Sequence, residues 1–144
     1  MQVVYEKADS SEEEKAVIRA VNRTDEIEAA INLLENASGK VAVIKDGQTY
    51  FLDINKIYYI ESIDKKTFIY TKENCYETRL KLYELENLLN LNFLRCAKAM
   101  IVNIRKVRSV KSELNGRMNA SLLNDETIVI ARSYVKELKN RLGI

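Results

Sequence analysis

The sequence predicts a mostly β fold with short helices, of the α+β class. Segments rich in β-branched and aromatic residues recur along the chain, among them VAVIK, QTYFL, IYYIESI and TFIYT, the composition of a pleated, half-buried surface. Between such runs stand the turn pairs Asp46-Gly47, Asn115-Gly116 and Asn124-Asp125, whose residues tolerate a left-handed backbone. Helical spacing of apolar residues is confined to three short stretches.

Val3 to Lys7 reads as a short strand. After the acidic turn Asp9 to Glu14, a second strand at Ala16 to Val21 competes with a helix starting at Ser11. Thr24 is an N-cap residue, and Ile27, Ala30, Ile31 and Leu34 follow at helical spacing, so the pattern predicts a helix over 25–36 that stops at Asn36 to Gly39. The same four residues are the best domain boundary, since there is no proline to mark a linker and no repeat.

Strands follow over 41–45 and 48–52, joined at Asp46-Gly47, the strongest hairpin signal in the chain. Ile57 to Ile63 and Thr67 to Thr71 flank the polar loop Asp64-Lys65-Lys66, and Cys75 to Thr78 adds a short strand. Leu82, Leu85, Leu88 and Leu89 predict an amphipathic helix over 81–90. Strands return at Met100 to Asn103, Val107 to Leu114, Arg117 to Leu123 and Thr127 to Ala131, and Ser133 caps a last helix to about Leu142.

At 144 residues the chain suits one medium domain, or a compact domain with a small appendage, able to bury its own core. The division expected is an acidic β-α extension over 1–40, regulatory or dimerising, and a main domain over 41–144. Histidine is absent, which excludes Ser-His-Asp and Cys-His catalysis and histidine metal ligation. The glycines Gly39, Gly47, Gly116 and Gly143 are scattered, so no glycine-rich loop can cradle a phosphate. Neither an enzyme nor a cofactor is expected. Cys75 and Cys96 are too few for a disulfide scaffold and read as reduced thiols of a cytoplasmic protein. No apolar run approaches the ~18 residues of a membrane span, and the N-terminus lacks a secretory pattern.

A net charge of +2 hides a polarised chain. Residues 1–40 hold five basic and nine acidic side chains, whereas from Phe93 onward eleven basic face four acidic. The centre of that excess is FLRCAKAMIVNIRKVRSVK, 93–111, with Arg95, Lys98, Arg105, Lys106, Arg108 and Lys111 and no acidic residue. Such a segment offers a surface to a polyanion, which points to nucleic acid. The basic half lacks a pair of adjacent helices, so reading DNA would fall to the loops Asp64 to Thr67, Arg95 to Ala99 and Ala131 to Ser133.

Three blocks, IYYIES at 57–62, FLRCAKAMIVNIRKV at 93–107 and VIARSYVKELKNRL at 129–142, resemble the signature blocks of the LytTR DNA-binding domain. Their order and spacing fit, as does the Leu-rich helix KLYELENLL just before Phe93, and the similarity runs from about Val43 to Leu142. The resemblance implies an elongated, mostly β fold that inserts loops into successive major grooves of bent DNA, as in bacterial transcriptional regulators. It places the base-contacting positions on Thr67, Lys98 and Arg132. The chain departs from the family at Ala97-Lys98-Ala99, where His-Lys-Ser is common, and at Ala131-Arg132, where Ser-Arg is common.

Arg132 and Lys98 can donate to guanine O6 and N7, and Thr67 can bond a base or touch a thymine methyl. Lys65, Lys66, Arg105 and Lys136 are candidate phosphate neutralisers, with the Ser133 hydroxyl beside them. Simpler roles compete elsewhere: Arg95 can pair with a carboxylate of the preceding helix, Asn103 can bond backbone, Glu61 can be a structural partner, and alternation turns about half of Tyr58, Tyr59 and Phe68 into the core.

The expected function is sequence-specific regulation at double-stranded promoter DNA by a homodimer or a cooperating protomer pair. The alternatives are an adaptor that binds a protein such as a membrane sensor, and a β-sheet RNA-binding module. Forty residues are too few for a receiver domain, so aspartyl phosphorylation within this chain is not expected.

Overall fold

The computed structural model describes residues 1–13, 15–36, 39–89 and 91–144. Ten strands and three α-helices follow in chain order: α1 (Asp25–Asn36), β1 (Lys40–Lys45), β2 (Gln48–Asp53), β3 (Tyr59–Ile63), β4 (Lys66–Tyr70), β5 (Cys75–Thr78), α2 (Leu82–Leu88), β6 (Phe93–Ala97), β7 (Met100–Asn103), β8 (Val107–Ser112), β9 (Met118–Leu122), β10 (Thr127–Ile130) and α3 (Val135–Leu142). Seven strands form one antiparallel sheet in the order β2-β1-β5-β4-β3-β7-β6, and three form a second, β10-β9-β8. The α+β, mostly β class is as the sequence predicts.

Alternation along the strands builds two cores. Val41, Val43, Ile57, Ile60, Ile69 and Ile101 pack with Leu82 and Leu85 of α2 on one face of the large sheet. Tyr58, Leu94, Cys96 and Val102 pack on the other with Met118, Ala120, Leu122, Ile128 and Ile130 of the small sheet and Leu138 of α3. The segment β3-β7-β6 is thus apolar on both faces, the usual condition of a covered sheet centre. Asn103 is buried at the end of β7 without an orphan polar group. Its Nδ2 donates to the Ile57 carbonyl at 2.8 Å and its Oδ1 accepts from the Arg105 amide at 3.1 Å, the backbone-bonding role rather than a base-reading one.

Several expectations are corrected. Val3 to Lys7 and Ala16 to Val21 form no strand, and Val3, Val4, Tyr5, Val17 and Val21 stand exposed; β propensity without a ladder partner leaves the backbone unpaired, so it does not settle into a strand. At Ser11–Glu13 there is one 3-10 turn rather than a helix. Helix α1 matches, with Thr24 Oγ1 accepting from the Ile27 amide at 3.3 Å. The boundary expected at Asn36 to Gly39 includes residues 37 and 38, and the helix end expected at 90 includes Asn90, all outside the described residues.

Arg95 to Ala99 is mostly strand, leaving only Lys98 and Ala99 as a turn. Arg95 and Cys96 enter the sheet through a bulge against β7, which lets an apolar run with charged insertions keep pairing. The final helix does not begin on a Ser133 cap. A 3-10 turn over Arg132–Tyr134 precedes it, and no side chain caps α3.

Candidate nucleic-acid interface

Chain reversals gather at one end of the two sheets. The β3–β4 turn is tight because Asp64 and Lys65 both adopt positive φ, 51° and 66°, a mirror-image hairpin turn made without glycine. Next to it lies the β6–β7 turn, since the Ser62 amide donates to the Ala99 carbonyl at 2.9 Å. The chain leaving β10 joins them through the Ala131 amide, which donates to the Cys96 carbonyl at 2.9 Å. Lys65, Lys66, Lys98, Arg132, Ser133 and Lys136 are all exposed, and these bonds place the three turns side by side along one rim.

Two cations support this rim from behind. Arg95 forms an ion pair with Glu86 of α2, while its Nη2 donates to the Lys98 carbonyl at 2.8 Å and its Nε to the Ala97 carbonyl at 3.2 Å. One guanidinium thereby fixes the backbone that carries Lys98. Lys81 Nζ donates to the Lys65 carbonyl at 3.3 Å and holds the neighbouring turn. The side chains of Lys98 and Arg132 form no hydrogen bond or ion pair among the described residues, so both are available to a partner.

Two sequence-predicted residues are not on the rim. Thr67 lies within β4 paired with Ser62 and Thr78, and its side chain is only 3% exposed. The tight Asp64-Lys65 turn starts β4 at Lys66, one residue before the expected strand, and Thr67 lies inside the ladder rather than on the exposed rim. Arg105 stands on the 3-10 turn Ile104–Lys106 at the far end of β7. Four residues of strand at about 3.3 Å each separate it from the Lys98 turn, on the order of 13 Å, and its Nε donates to Asn92 Oδ1 at 3.3 Å.

The basic run 93–111 is therefore not one surface. At the far end Lys106 lies 5.3 Å from the centre of the Tyr58 ring, and Arg108 donates to Asp125 and to the Leu123 carbonyl at 2.6 and 2.9 Å. Tyr58 is buried, and Tyr59 stacks on Tyr70 across the β3–β4 pair, 4.3 Å between ring centres, so these rings are engaged within the protein. Burial, the hydrogen bond to Glu126 and the nearby Tyr70 and Glu61 push the Tyr59 phenol up. Burial, with Cys75 and Glu61 adding to it, pushes Tyr70 up to about 12, and burial pushes the Cys96 thiol up to about 12. No group of three or more candidate metal ligands occurs among the described residues.

Residues 47–143 match the family model of the LytTr DNA-binding domain. This chain belongs to the LytTR family. Among solved structures, a LytTr DNA-binding domain from Bacillus cereus superimposes with a TM-score of 0.70 at 25% identity, covering 74% of this chain and 98% of that one. The transcriptional regulatory protein YpdB of Escherichia coli K12 is 30% identical over 106 residues, 72% of this chain. The chain spans 43% of the length of YpdB, so the alignment concerns one part of that protein. An uncharacterized HTH-type transcriptional regulator of Staphylococcus aureus is 26% identical over 129 residues, 88% of each chain. In the LytTR fold seen here, five strands, β6 to β10, separate α2 from α3, so the described residues contain no adjacent helix pair for a groove. The pairing of Arg95 with a carboxylate of the preceding helix is as the sequence suggests, whereas its bonds to the Ala97 and Lys98 carbonyls follow from the β6–β7 turn and were marked by no sequence pattern.

Proposed function

We propose that this LytTR chain is a sequence-specific double-stranded DNA-binding transcriptional regulator, not an enzyme, that reads the major groove through turns at one end of its sheets. The observation that supports it most is the pair of backbone bonds, Ser62 to Ala99 and Ala131 to Cys96, that brings three cationic turns into one line. Lys98 and Arg132 donate to base edges, with Arg132 able to engage guanine in bidentate fashion. Lys65, Lys66 and Lys136 neutralise phosphates, and the Ser133 hydroxyl bonds one. Thr67, buried in β4, and Arg105, at the other end of β7, lie off this rim. A mobility-shift titration tests the reading with three probes: a duplex selected by the protein from a randomised pool, a random duplex and single-stranded RNA. The selected duplex should bind tightest, and Lys66→Gln should flatten the log-log salt dependence by about 0.9. A preference for RNA, or no binding to either nucleic acid, would support the RNA-module or the adaptor reading instead.

The division at about residue 40 belongs to the same proposal. Residues 1–40 serve a homodimer or a cooperating protomer pair in the cytoplasm, and are the part on which a regulatory partner, including a membrane-bound one, would act. The exposed Val3, Val4, Tyr5, Val17 and Val21 support this, since apolar side chains clustered in one exposed segment commonly mark an interaction site. No helix of the described residues is long and apolar enough to cross a membrane. Deleting residues 1–38 should convert the species seen by sedimentation to monomer and weaken binding to paired sites roughly tenfold, the size of a modest coupling energy. Unchanged mass and affinity would overturn this assignment.

A further inference from the structure

The geometry points to Gly116, in the turn between β8 and β9, as a positioning residue that sets the direction of Arg132. This rests on the reading of Arg132 as a base contact and adds the device that aims it. Gly116 has φ +84°, and a Cβ built there would lie 2.6 Å from Arg132 Cδ and 2.9 Å from Cγ. The stem of Arg132 therefore lies directly across the hydrogen face of this glycine. No side chain could share that space without moving the arginine, since carbon atoms meet comfortably only at about 3.5–4.0 Å.

Both backbones that meet here are fixed. On one side the Gly116 amide donates to the Glu113 carbonyl at 3.2 Å, the Glu113 amide to the Arg117 carbonyl at 2.9 Å, and the Arg117 amide to Asn115 Oδ1 at 3.2 Å. On the other, the Ala131 amide is bonded to Cys96 and the Tyr134 amide to the Ala131 carbonyl, both at 2.9 Å. A clash would thus be relieved by the flexible arginine side chain rather than by either turn. Asn115, Arg117, Ala131, Arg132 and Ser133 line an open cleft of about 430 Å³ at this junction. Because Arg117 lines the same cleft, like charge opposes folding of the Arg132 head back into it. Glycine on one side and a cation nearby leave the guanidinium directed outward, beyond the rim.

A backbone at this φ is strained for any residue with a Cβ, so the experiment must separate strain from displacement of Arg132. Gly116→Ala, Arg132→Ala and the double variant are titrated with a duplex selected by the wild-type protein and with random duplex. Gly116→Ala is expected to lower affinity for the selected duplex about tenfold and for random duplex less than twofold. In the Arg132→Ala background it should have no further effect, because the atoms it collides with are gone. Gly116→Asn supplies the second control: asparagine enters the left-handed region several-fold more readily than most residues yet carries the same Cβ, and should show the same loss of discrimination.

Independent, multiplying losses in the double variant, or recovery of wild-type binding by Gly116→Asn, would show that the glycine serves only the turn and would overturn the inference. A Gly116→Ala protein that discriminates as well as wild type would do the same. An Arg132→Ala protein that discriminates normally would overturn the base-reading assignment and this inference together, and that arm tells the two failures apart.

Discussion

Arg132→Ala is expected to lower affinity for a selected duplex by roughly 10- to 100-fold, the equivalent of about 1–3 kcal/mol for one bidentate base contact, while affinity for random duplex falls by no more than about twofold. The asymmetry follows from where the residue sits. Its guanidinium is exposed and has no bonding partner among the described residues, so removing it leaves no buried group unpaired and disturbs no core. What is lost is a planar pair of donors matched to guanine, which random sequence engages only by chance. Lys66→Gln should behave in the opposite way, weakening both duplexes alike and changing the salt slope, because phosphates are present in every sequence. Competition titrations at fixed salt measure the ratio. Equal losses on selected and random DNA would make Arg132 a phosphate contact and remove the basis for placing sequence discrimination at this rim.

The sequence made the rim's components visible but not their supports, for a physical reason. Asp46-Gly47 and Asn115-Gly116 announce their reversals because they hold residues suited to positive φ, and the Leu-rich segment announces α2 because its period is helical. These are local properties. The β3–β4 turn is made by Asp64 and Lys65 without glycine, so its composition suggested a longer loop through Lys66, a residue that opens β4 instead. Phe93 to Ala97 mixes apolar residues with Arg95 and pairs through a bulge, so neither period is clean and a loop was the natural reading.

Non-local pairing decides the remaining cases. Val3 to Lys7 has the residues of a strand but no neighbour to complete its ladder. Arg105 and Lys98 look adjacent on a basic run, yet β7 lies between them and carries them to opposite ends of the sheet. The contact of Arg132 with Gly116 joins residues 16 apart in sequence through the pairing of β9 and β10, and no spacing rule marks it.

Leu138→Ala should cost about 2–5 kcal/mol of folding stability, the range for truncating a fully buried leucine in a core that relaxes only in part. Leu138 is the one buried side chain of the eight-residue α3 and has no exposed surface. It sits among Leu94 and Cys96 of the large sheet and Met118, Leu122, Ile128 and Ile130 of the small one, so its removal loosens the layer where both sheets and the helix meet. Helix α3 has no side-chain N-cap and is too short to persist alone, which leaves this anchor as its main support. For a domain of this size the melting temperature should fall by roughly 10 °C, at a few degrees per kcal/mol, as followed by circular dichroism. The same helix is continuous with the turn that carries Arg132 and Ser133, so the variant should also lose discrimination between selected and random duplex as it warms toward its lowered transition. Arg132→Ala, by contrast, should leave the transition within about 1–2 °C of wild type, since surface substitutions change stability by no more than about 0.5 kcal/mol. A Leu138→Ala protein that melts within 2 °C of wild type would mean that the layer between the sheets closes over the missing side chain, and that α3 is held to the rim by something other than its buried face.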